Sequence, residues 1–169
     1  MTKSVLLDEL KNFCKNAVKD YRLPTVVQKN DIKPECRPPE VYKMRLPHTD
    51  ATKKYVPYIL LQLVTSKDEQ QEGELSKSSA LVRFIFCVYG DDEQEGALSL
   101  LNVMETIRIE LLKKTVIGGR FCLDRKAGVE TLIYPDNTAP FYAGEMMGTF
   151  YLPPIEREVN FEKERYSKY

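Results

Sequence analysis

The sequence predicts an α+β fold: a mixed, mainly antiparallel sheet with two main helices packed on one face. Three observations lead there. Two stretches, one near the start and one past the middle, repeat their apolar residues at helical spacing. Several shorter stretches alternate apolar and polar residues, as half-buried strands do. The order helix, three strands, helix, hairpin, strand lets consecutive strands pair antiparallel and gathers the helices on one side of the sheet.

The elements follow in order. Ser4 is placed to cap a helix running to about Tyr21, with Leu6, Leu10, Phe13, Cys14, Ala17, Val18 and Tyr21 on one face. Pro24 stops it. Thr25–Glu40, with Pro34, Pro38 and Pro39, has no period and reads as an extended connector. Val41–Leu46 alternates, with Tyr42, Met44 and Leu46 on one side, and Tyr55–Thr65 is a strongly apolar second strand. Ser66–Ser78 is almost wholly polar and predicts a long mobile loop. Ala80–Tyr89 is a strand apolar on both faces, with Ala80, Val82, Phe84, Phe86 and Val88 on one and Leu81, Arg83, Ile85, Cys87 and Tyr89 on the other.

A helix then starts at Asp92, which with Glu95 resembles a capping box. It runs to about Lys114, and Ala97, Leu100, Leu101, Met104, Ile107 and Leu111 form the expected buried stripe. Gly118-Gly119 breaks the pattern where glycine serves as a C-cap. Arg120–Asp124 and Glu130–Tyr134 read as a hairpin around Lys126-Ala127-Gly128. Pro135-Asp136-Asn137 is a turn, Glu145–Leu152 is the last strand, and Pro153-Pro154 ends it. Residues 1–154 are thus expected to form one domain, followed by a charged tail over 155–169.

Composition narrows the function. The chain has 169 residues, 43% hydrophobic and 30% charged, enough to bury a core and too apolar for general disorder. Lys plus Arg and Asp plus Glu each number 25, so the net charge is zero. Proteins that grip nucleic acid through phosphates carry a basic excess or stripe, so sequence-specific nucleic-acid binding is not expected. The same balance leaves copies free to associate. Met1–Leu10 carries charges through its apolar positions, no apolar run approaches about 18 residues, and neither a signal peptide nor a membrane contact is expected. Cys14, Cys36, Cys87 and Cys122 form no C-x-x-C pair and read as reduced thiols of a cytoplasmic protein.

No constellation for catalysis emerges. His48 is the only histidine and no nucleophile motif accompanies it. The acids Asp91, Asp92, Glu93 and Glu95 suit the first turn of a helix better than a cation site. Gly118-Gly119 lacks the surroundings of a phosphate loop. Expected, therefore, are no enzyme activity, no metal and no cofactor. Two features point to protein partners instead. The second face of Ala80–Tyr89, with Leu81, Ile85 and Tyr89, has no helix left to cover it and suits a neighbouring subunit. The polar stretch with Lys67, Asp68, Glu69, Glu72 and Glu74 suits contacts between subunits.

The stretch from Val56 to Pro153 resembles the tail terminator (tail completion) proteins of long-tailed bacteriophages and prophages. The likeness lies in Tyr58-Ile59-Leu60-Leu61-Gln62 followed by a charged loop and in Val82–Gly90 running into an acid-capped helix over Asp91–Lys114. The Met146–Leu152 strand with its aromatic end completes it. The resemblance implies a structural virion protein without catalytic residues or cofactor. It would form a hexameric ring that caps the tail tube, ends its polymerisation and meets the head-side connector. Its place would be the bacterial host cytoplasm during assembly and then the virion tail. The proline-rich connector and the tail after Pro154 depart from that pattern, and leave another neck or minor tail component, or a monomeric adaptor domain, as the alternatives.

Overall fold

A computed structural model describes residues 2–26, 35–47, 52–70, 75–135 and 138–155. The fold is α+β, with a mixed, mostly antiparallel, curled sheet and two helices. His48, Glu72, Glu74, the turn at Asp136-Asn137 and the tail after Ile155 lie outside the described residues.

The first helix, α1 (Lys3–Val18), starts after Thr2 rather than at Ser4, and buries Leu6, Leu7, Leu10, Cys14 and Val18. Phe13, Ala17 and Tyr21 pack at the margin of the core. The ends of the connector come together as a two-residue antiparallel pair, β1 (Leu23–Pro24) with β2 (Cys36–Arg37). Thr25 N–H donates to Glu35 O at 2.9 Å.

Among the described residues seven strands form the main sheet, in the order β3 (Glu40–Lys43), β4 (Tyr58–Glu69), β5 (Lys77–Tyr89), β9 (Phe141–Leu152), β7 (Phe121–Leu123) and β6 (Val116–Ile117), with β8 (Val129–Ile133) also on β9. Four expectations change here. First, β3 ends at Lys43, buries Val41 rather than Tyr42, Met44 and Leu46, and runs parallel to β4. The chain leaves the strand at Met44, whose φ of 62° breaks the alternation. Tyr55 belongs to a short 3-10 turn (Thr52–Tyr55), so β4 starts at Tyr58.

Second, most of the described part of the expected loop at Ser66–Ser78 is ladder, with Ser66 opposite Ala80 and Glu69 opposite Lys77. Polar residues form strand here because backbone pairing with β5 needs no apolar side chain, and a bulge at Leu63/Thr65 resets the register. Third, β7 and β8 do not pair with each other but follow one another along β9. Asp124 makes the interruption between them: its Oδ1 accepts from the N–H groups of Lys126 (2.9 Å) and Ala127 (3.1 Å). Those bonds, Ala127's foremost, hold the Asp124 carboxyl below the ordinary range. Fourth, Gly118-Gly119 is the β6–β7 turn, with φ of 57° and 69°, rather than a helix cap. Such φ values suit a residue without Cβ.

The second helix, α2 (Glu93–Lys113), is capped as expected: Asp92 Oδ1 accepts from Glu95 N–H at 2.9 Å. Its buried stripe is Gly96, Leu100, Val103, Met104, Ile107 and Leu111. Ala97 and Leu101 are exposed, a correction of one position. Apolar residues at 97, 98, 100, 101, 103 and 104 allow more than one helical phase, so spacing alone does not choose. Packing chooses: a Cβ on Gly96 would sit 2.2 Å from the Tyr142 ring, so glycine admits β9's aromatic against the helix.

Both helices cover one face. α1 packs against β3 and β4, α2 against β5 and β9, and Tyr21 Oη lies 2.6 Å from Thr106 Oγ1 between them. Phe84, Phe86, Phe121 and Phe150 are fully buried beneath them. Burying each such ring contributes roughly 1.5–3 kcal/mol. Among the described residues no helix is long and apolar enough to cross a membrane.

Candidate assembly surface

Because side chains alternate along a strand, every residue of β5 that misses the helices points to the opposite side. Leu81, Arg83, Ile85, Cys87 and Tyr89 take that side, and the ladders bring others beside them. Across one row stand Leu60, Ile85, Glu145 and Leu132; across the next, Gln62, Arg83, Met147 and Glu130. No helix of the described chain lies on this face. Leu60 and Cys87 are nonetheless buried by their neighbours, whereas Leu81, Ile85, Tyr89 and Met147 are half-buried and Leu132 is 52% exposed.

A polar thread crosses the apolar surface. Arg83 donates through Nη2 (2.8 Å) and Nε (3.2 Å) to Gln62 Oε1. Its Nη1 is 3.7 Å from Glu145 Oε2, which also accepts from Tyr134 Oη at 2.8 Å. Strands β4, β5, β9 and the end of β8 are thus tied together on the open side. Burial, foremost, and the Glu145 carboxylate raise the Tyr134 hydroxyl above its usual value. Tyr58 is pushed up to about 12, mainly by burial and then by Cys87. Burial pushes the Cys87 thiol up to about 11, so it stays protonated and unreactive at neutral pH. A hollow of about 320 Å³ opens at the Leu81 end, between Leu81, Gly128, Glu130, Met147 and Thr149.

The expected interface residues are only partly gathered. Leu81 and Ile85 lie in the middle of the open face. Tyr89 lies at one end, its ring 5.6 Å from that of Phe141 and its hydroxyl donating to Asp91 at 2.6 Å. Lys67 and Glu69 pair with one another on the far end of β4, opposite Ser79 and Lys77 and therefore on the same side as Leu81. Asp68 turns to the helix side, where it accepts from Lys3 Nζ (2.7 Å) and from Ser78 Oγ. Those two bonds, Lys3's first, lower its carboxyl below the ordinary range. Missed from the sequence were Glu145, Met147, Leu132 and Tyr134. The signal for the first two was present, since Glu145 and Met147 alternate with the buried Met146 and Gly148.

Asp91 and Asp92 are engaged with Tyr89 and with the helix end, and among the described residues no three of His, Cys, Asp and Glu converge. Free thiols are Cys14 and Cys87, both buried, and Cys36 and Cys122, both exposed. No protein-family model matches the chain, and no curated protein sequence does.

Proposed function

We propose that this chain is a structural, non-enzymatic protein of the phage tail-terminator kind. It would form a ring, of six by the family pattern, that ends tail-tube growth and meets the head-side connector. It would work in the bacterial host cytoplasm and remain in the virion tail. One observation carries the reading: the sheet has an open face, with Leu81, Ile85, Met147 and Leu132 around a polar thread, on which no helix of the described chain lies. A monomeric protein of this size leaves few such surfaces without a use. The order of elements in the resembling stretch, from β4 through the capped α2 to β9, supports it further.

The test is a tube-length assay. Purified tail-tube protein is polymerised with and without this chain, and lengths are read by electron microscopy. The unmodified protein shortens tubes and sits at one end. Ile85→Asp leaves lengths unchanged while its circular dichroism matches the parent. Tube lengths indifferent to the unmodified protein, with no end density, would put the adaptor reading ahead.

A further inference from the structure

Two stretches of strand edge, at opposite sides of the sheet, have no strand beside them among the described residues. β3 covers β4 only from Tyr58 to Leu61, and β4 runs on to Glu69. On the other side β8 pairs with β9 alone. Tyr134 N–H donates to Ala143 O at 3.1 Å. In an antiparallel ladder alternate residues turn both backbone groups to the same neighbour. Glu130 and Leu132 therefore face β9, and Val129, Thr131 and Ile133 direct their N–H and C=O groups outward.

Apolar surface borders this second edge. Leu132 is 52% exposed and Ile133 44%. On α2, Leu101 is 39% exposed. The opposite flank of α2 holds Tyr21 of α1, whose hydroxyl meets Asn102 and Thr106, so Leu101 lies on the flank away from α1. Unpaired edges bordered by apolar side chains are the surfaces that folded proteins usually blunt with prolines, charges or a covering element.

We propose that β8 receives the free edge of β4 from a second copy of this chain, joining the two sheets antiparallel. The proposal rests on the ring reading and adds a strand-edge contact to the one proposed for the open face. Three features support it. Each of β4, β5, β9 and β8 runs antiparallel to the one before, so β4 and β8 themselves are antiparallel. Rotation about an axis along the strands preserves direction, and the joint continues the pattern of the sheet. Next, antiparallel alignment with Val64 beside Ile133 sets Ser66 beside Thr131. It sets Asp68 beside Val129 and Glu69 beside Gly128, at the end of the turn. Apolar thus meets apolar at Val64 and Ile133. Finally, the two edges are different surfaces, so the contact is head-to-tail and ends only when a ring closes.

The experiment is disulfide trapping in the full chain. Exposed Cys36 and Cys122 are first replaced by serine, and Ser66→Cys and Thr131→Cys are added separately and together. Mass is followed by light scattering before oxidation. The proposal predicts a covalent ladder, ending at one closed species, for the double variant only, with each single variant giving under about a tenth of that product. Assembly by mass without a ladder in the double variant overturns the edge assignment and leaves the ring reading standing. A covalent dimer from Thr131→Cys alone overturns it in favour of a two-fold β8–β8 contact. A monomeric mass throughout, including with tail tubes present, overturns both. As a second measurement, Thr131→Pro removes an outward N–H without touching the core, and should raise the concentration for half-assembly about tenfold or more.

Discussion

Phe84 and Ile85 are chain neighbours on one strand, and they live in different surroundings. Phe84 is fully buried beneath the helices, with its ring 6.5 Å from Phe150. Ile85 is half-buried, between Leu60 and Glu145 of its own sheet. The apolar content of β5 thus serves two ends. One face is completed by the protein's own helices, and the other is finished only as far as neighbours in a sheet can finish it. Stability and association should therefore separate between adjacent residues.

The largest effect belongs to the covered face. Phe84→Ala should cost about 3–5 kcal/mol in denaturant unfolding, through lost burial and the cavity left behind. Ile85→Ala should cost less than half as much in the same measurement, yet weaken assembly. Equal losses at both positions would erase the distinction between the faces. The same contrast recurs on α2. Leu100→Ala should cost about 2–5 kcal/mol, whereas exposed Leu101→Ala should stay within about 1 kcal/mol.

Gly96→Ala comes next. Its Cβ would meet the Tyr142 ring at 2.2 Å. The overpacking should cost about 1–3 kcal/mol, despite alanine's better helix propensity. Truncating Tyr142 together with Gly96→Ala should recover part of that loss, measured as a double-mutant cycle. Asp92→Ala removes the α2 cap and should cost about 1 kcal/mol.

The smallest effect is electrostatic and sits on the far part of β4. The folded-state pKa of Asp68 is depressed by Lys3 and Ser78. Its contribution is therefore present above the ordinary carboxylate range and is lost as pH falls through the lowered folded value. Amide exchange along Ser66–Glu69 should speed up in that acidic window more than in β5, and Asp68→Asn should abolish the pH dependence.

Much of the fold was legible because long periodic segments leave little choice. Both helices, the two faces of β5 and the inward set of β9 follow from spacing alone. The corrections share a cause. The phase of α2, the inward residue of β3 and the ladder beyond Thr65 are each decided by partners distant in sequence: Tyr142, the parallel neighbour Ile59 and the polar strand Lys77–Ala80. The pairing of β7 and β8 with β9 instead of each other depends on Asp124 satisfying two backbone donors in the turn, which a hairpin-like spacing does not reveal. Of the candidate surface, Leu81 and Ile85 were readable from alternation. Leu132 and Tyr134 were not, since their place depends on that same pairing.

The most direct test is the mass of the protein against concentration, by multi-angle light scattering, for the parent and for Ile85→Asp. The parent should leave the monomer mass as concentration rises toward millimolar or when tail tubes are added. Ile85→Asp should remain monomeric under both conditions, with an unchanged circular dichroism spectrum. A parent that stays monomeric in both, or an Ile85→Asp protein that assembles like the parent, would contradict the claim that the uncovered face is an assembly surface.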